Sequence, residues 1–131
     1  MKEVLRLTKQ DGTIVAQPLE VASNFFTAGL GLMGRARLPE NGGLLIHGCN
    51  GIHMMFMRFP IDVVFMDRSQ RAVRVCPSLR SWRIVPLVLR AHSVVELPAG
   101  TLEGLPLPRG EQLAVESDAE DATVSGSRRP D

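Results

Sequence analysis

No apolar run in this chain grows long before a turn residue cuts it. Asp11-Gly12, the Pro39–Gly43 stretch, Asn50-Gly51, Pro60 and the Leu97-Pro-Ala-Gly100 stretch divide it into pieces of a few residues each. Many short strands at such spacing, with one or two helices, specify a sheet or small barrel rather than a repeating strand–helix array. There is no alternating βαβα rhythm and no glycine-rich phosphate loop. The expected class is α+β and mostly β: an antiparallel sheet or a small, partly open barrel with one or two short helices.

The pieces read as follows. Residues 4–8 and 13–21 are strands on either side of Asp11-Gly12, a dipeptide whose residues readily take positive φ and so close hairpins. Ser23 or Asn24 caps a short helix running to about residue 34, with apolar positions three and four apart. Strands follow at 44–47, 52–57, 61–67, 72–76, 84–89 and 93–97. Gly100 then leads into a short helical piece, and 112–115 is the last strand. Phe59 precedes Pro60, which pushes it to extended geometry and turns the chain there.

With 131 residues, of which 44% are apolar and 22% charged, the chain buries enough surface to fold without a disulfide or metal. We expect one domain over residues 1–115 and a disordered acidic tail over 116–131. That tail holds five acids and two arginines, so the net charge of +1 hides a body of +4. Arg68, Arg71, Arg74, Arg80, Arg83 and Arg90 follow one another with no acid between Asp67 and Glu96. They lie along exposed strand faces and loops, or they attract an acidic partner. Nucleic acid is disfavoured because one Trp, no Tyr and five Phe offer bases little to stack on. Two cysteines make no disulfide framework. Charges at Glu3, Arg6 and Lys9 deny the first residues a signal-peptide core. The uncharged stretch 41–57 carries four glycines and two histidines, which spoil a membrane span. A cytoplasmic protein is expected.

Chemistry concentrates between Cys49 and Asp67. Strand alternation puts Ile61, Val63 and Phe65 on one side and Asp62, Val64 and Met66 on the other. Asp62 is therefore an acid in an apolar strand and needs donors, from Arg58 or from backbone amides that lock the corner. The functional alternative is a pocket of Cys49, His53, Arg58 and Asp62, in which Arg58 holds an anion and Asp62 or His53 moves a proton. Cys49 and His53 would form a thiolate–imidazole pair only if the turn between them brought them together. His53, Met55 and Met57 share a strand face and are soft enough for Cu(I), but methionines in strands mostly fill core gaps. His47, His92 and Cys76 lack zinc spacing. No metal and no cofactor is expected.

Gly31, Leu32, Met33, Gly34 and Arg35, then residues 43–45, then His53 through Asp67, then Val95-Glu-Leu-Pro-Ala-Gly100, resemble the prokaryotic family known as domain of unknown function 192, in its His-containing branch. The match runs from about residue 21 to residue 115, with its motifs in the expected order. The resemblance implies a compact, mostly β domain with a short helix at Gly31–Arg35, and it makes Pro60, Glu96 and Gly100 parts of a structural signature. It supplies no activity. Two positions depart from the family pattern: Gly110-Glu111 replaces the usual Gly-Asp, and Met55 stands where an aromatic is common. The leading reading is a non-catalytic binding or accessory module; the alternative is a small enzyme or ligand-binding protein built on the Cys49–Asp62 pocket.

Overall fold

The computed structural model describes residues 4–22, 40–48, 51–53, 59–80 and 82–117. Its elements are β1 (Leu5–Lys9), β2 (Ile14–Ala16), β3 (Leu19–Ala22), β4 (Gly43–His47), β5 (Ile52–His53), β6 (Ile61–Met66), β7 (Ala72–Leu79), β8 (Ile84–Val85), β9 (Ser93–Pro98), a single helical turn α1 (Thr101–Gly104) and β10 (Leu113–Ser117). A five-stranded sheet in the order β3-β4-β9-β6-β7 forms the middle layer. The three-stranded sheet β10-β1-β2 and the two-stranded ribbon β5-β8 complete the set among the described residues. All three are open, so the sheet rather than the barrel is what forms.

Strand composition explains the order. β6 is buried at every position and β9 at five of six. Such continuous Val, Ile, Leu and Phe runs are stable only where both faces of a strand are covered. β7 alternates between half-buried and exposed residues and carries Pro77, which lacks the N–H that a central strand would need. It accordingly stands at the edge. Alternation divides the middle layer as the sequence implies. Leu44, Ile46, Ile61, Val63, Phe65 and Val94 pack on one face, with Val85 and Val88 over them. Leu45, Val64, Met66, Val95 and Leu97 pack on the other, against Leu7, Leu102, Leu107 and Leu113.

The hairpin forms where expected. Gly12 has φ of 93°, its N–H donates to the Lys9 carbonyl at 2.9 Å, and β1 and β2 pair antiparallel. The second strand is shorter than expected, because Pro18 has no N–H to offer a ladder. The chain stops at Ala16 in the three-stranded sheet and restarts as β3 in the middle layer. There β3 runs parallel to β4, so the sheet is mixed rather than purely antiparallel. The long stretch between Ala22 and Gly43 gives the chain room for that return. The helix expected over 23–34 lies outside the described residues.

Three more boundaries differ from expectation. Strand 84–89 ends at Val85, where Pro86 follows. The last strand runs on to Ser117, with Arg6 Nε 3.5 Å from Glu116 Oε1 across β1 and β10. β7 reaches Leu79 by accommodating two extra residues. Its register against β6 shifts between Val63↔Cys76 and Ile61↔Leu79, and again between Phe65↔Arg74 and Met66↔Ala72. Each shift is a bulge, with one more residue on β7 than on its partner.

Candidate functional site

Among the described residues the fold brings out two buried acids and a basic groove. Asp62 sits mid-sheet on β6, 1% exposed, facing the side covered by α1 and the three-stranded sheet. Its Oδ1 accepts the Ser78 N–H at 2.8 Å and its Oδ2 accepts the Leu102 N–H at 2.8 Å. Ser78 lies in the lower β7 bulge, with φ of 51°. The side chain thus takes the place of the ladder bond that the bulge disrupts. Leu102 lies in α1, whose N-cap is Gly100 with φ of 95°, a conformation that glycine adopts without strain. One carboxylate therefore ties three segments together through its two oxygens. Charge-assisted bonds of this kind are about twice as strong as neutral ones.

Glu96 lies on β9, next to β6, and faces the opposite side. It is 4% exposed, and its cross-strand neighbours are Leu44 and Val63. Its Oε1 has no hydrogen-bond partner among the described residues. Burial among apolar groups penalises the charged form, and the carboxyl is pushed from 4.5 up to about 8. Glu96 is therefore mostly protonated at neutral pH.

The groove runs along the outer edge of β7. Two hollows of about 610 and 460 Å³ share Val73, Leu89 and Arg109 in their walls and so form one channel. Arg71, Arg74, Arg90 and Arg109 surround it, and Asp67 is the one acid in its lining among the described residues. Asp67 is itself engaged: its Oδ1 accepts the Ser69 and Arg71 N–H groups at 2.9 Å each. The Arg71 guanidinium is held by a 3.1 Å bond from Nη1 to the Gly110 carbonyl. No carboxylate among the described residues lies within salt-bridge distance of Arg74, Arg90 or Arg109. Val73, Val75 and Leu107 supply an apolar floor, with the exposed Leu87 beside it.

Of the residues singled out from sequence, Arg71, Arg74 and Arg90 meet in this groove, while Arg68, Arg80 and Arg83 are exposed outside it. Asp62 lies on the face opposite the one that Val85 of the β5–β8 ribbon covers. His53 pairs with Ile84 in that ribbon. Cys49, Arg58, Met55, Met57 and Gly31 through Arg35 lie outside the described residues. Among the described residues no three His, Cys, Asp or Glu side chains cluster to hold a metal, and no helix is long and apolar enough to cross a membrane. Two functional candidates went unread. Arg109 reaches β7 from the far side of α1, with no local signal. Glu96 carried the same signal as Asp62, an acid inside an apolar strand, but read as part of a motif.

Comparison with known proteins places these features in a family context. The profile of domain of unknown function 192, described as "Uncharacterized ACR", matches residues 6–115. A UPF0127 protein of Pyrococcus horikoshii is 31% identical over 100 residues, covering 72% of this chain and 84% of that protein. A UPF0127 protein of Pyrococcus furiosus is 30% identical over 115 residues, covering 84% of this chain and 95% of that one. The crystal structure of a protein of unknown function from Novosphingobium aromaticivorans superimposes with a TM-score of 0.70 at 18% identity, over 85% of this chain and 83% of the other. That likeness concerns the fold.

Proposed function

Because the chain belongs to the domain of unknown function 192 family, a family of unknown function, we propose its role from its own geometry: a non-catalytic binding module that engages an anionic partner along the β7 groove. The observation that carries this reading is the convergence of Arg71, Arg74, Arg90 and Arg109 on one channel, whose single acid among the described residues is already engaged. Arginines so placed raise the local concentration of an anionic partner and fix its register, and the apolar floor adds contact area. A non-catalytic role is supported by Asp62, whose two oxygens are both occupied by backbone N–H groups. Proton transfer there would require breaking bonds that hold the fold.

Fluorescence anisotropy with a labelled polyglutamate peptide tests this. Binding should be measurable at low ionic strength and weaken as salt rises. The exposed pair Arg74→Glu and Arg109→Glu should weaken it about ten-fold or more, since two attractive contacts become repulsive. Unchanged affinity in that variant would overturn the assignment of the groove.

A further inference from the structure

The segment from Trp82 to Arg90 has two sides. Val85 and Val88 turn inward onto the sheet face of Phe65 and Val63. Trp82, Ile84, Leu87 and Leu89 turn outward and are 58–79% exposed. Both ends turn through left-handed residues, Trp82 with φ of 69° and Arg90 with φ of 71°. Arg83 and Arg90 are exposed along the same strap, and Arg80 is exposed just before it in the chain. Four large apolar side chains this exposed on one short segment form a patch of the kind that marks an interaction site.

We propose that this strap docks on an anionic lipid surface, with Trp82, Ile84, Leu87 and Leu89 entering the headgroup layer and the arginines meeting lipid phosphates. The inference rests on the anionic-partner reading above and names the class of partner. Charge complementarity selects it. A second copy of this chain, packed strap to strap by two-fold symmetry, would bring Arg80, Arg83 and Arg90 into the interface from both sides with no acid on either strap to meet them. An anionic bilayer satisfies both halves of the patch at once. Apolar side chains and an indole partition into the interface, while each arginine near the charged surface favours binding by roughly five-fold.

The sole tryptophan of the chain lies on the strap and reports directly. Vesicles of phosphatidylcholine alone, and of phosphatidylcholine with phosphatidylglycerol, should be mixed with the whole protein, following co-sedimentation and Trp82 emission. Binding to the anionic vesicles only, with a blue shift of emission, is expected. The double variant Trp82→Ser, Leu89→Ser should lose about ten-fold or more in co-sedimentation while keeping its far-ultraviolet circular dichroism. Retained vesicle binding in that variant, or wild-type binding without a blue shift, would overturn the lipid proposal. Binding to polyglutamate but not to vesicles would overturn it and leave the anionic-partner reading standing. Vesicle binding that survives Arg74→Glu with Arg109→Glu would instead remove the groove, and binding to neither probe would remove both.

Discussion

Asp62 and Glu96 are buried acids on neighbouring strands of one sheet, and they are in opposite situations. Asp62 has a backbone donor for each oxygen. Glu96, across the sheet, has Leu44 and Val63 beside it and an oxygen with no partner among the described residues. Burial alone therefore does not decide what a carboxyl group does in a fold; the donors aimed at it do. Where they are present the acid is a structural tie. Where a buried oxygen finds none among the described residues, as in Glu96, burial favours the neutral form and the acid becomes sensitive to pH.

Removing the tie should have the largest effect. Asp62→Ala leaves the buried Leu102 N–H and the part-buried Ser78 N–H without their acceptor, at about 1–3 kcal/mol each and least for the more exposed Ser78. Denaturant unfolding should show a loss of roughly 3–5 kcal/mol. A loss below about 1 kcal/mol would mean that water or relaxation replaces the carboxylate and that the contrast with Glu96 is overstated.

The second test concerns Glu96. Its folded pKa of about 8 lies above its unfolded value of 4.5, so the folded state holds the proton more tightly. The contribution to stability is complete below the unfolded value, declines as pH rises through the window, and is gone above about 8. Between about pH 5 and about pH 9 the wild type should lose roughly 4 kcal/mol relative to Glu96→Gln, which cannot ionise. Parallel stability curves for the two proteins would show that Glu96 is charged and paired.

A smaller effect is expected at Gly100, whose φ of 95° sets the backbone that presents the Leu102 N–H to Asp62. Gly100→Ala should cost about 1–2 kcal/mol from the left-handed conformation alone. If the tie depends on that turn, Gly100→Ala and Asp62→Ala should combine less than additively in a double-mutant cycle. Additive losses would separate the two.

What the sequence disclosed follows the range of each interaction. Strand parity is local, so the two faces of β6 and the burial of Asp62 were legible. Its donors were not, because Ser78 is 16 residues away and Leu102 is 40. The parallel β3–β4 pair was missed because the hairpin signal at Asp11-Gly12 implied that pairing would continue antiparallel past Pro18. The strap was misread for a local reason. A strand over 84–89 would alternate sides every residue, but Pro86 interrupts it, and the inward residues are Val85 and Val88, three apart. The arginine run was visible from composition, yet only the fold shows which of its members share a groove and that Arg109 joins them.

The two bulges in β7 bear on more than local register. Beyond Ala72, the outer edge of this strand has no strand partner among the described residues, and an exposed edge invites the same strand of another molecule to add to it. Here the register breaks twice within eight residues, Pro77 withholds a donor and Arg74 stands charged between the breaks. A second molecule approaching this edge would find no straight run to copy. With an apolar strap lying alongside, that irregularity guards the protein against fibrous growth, and straightening β7 at the bulge between Ala72 and Arg74, away from the Ser78–Asp62 bond, would endanger its solubility.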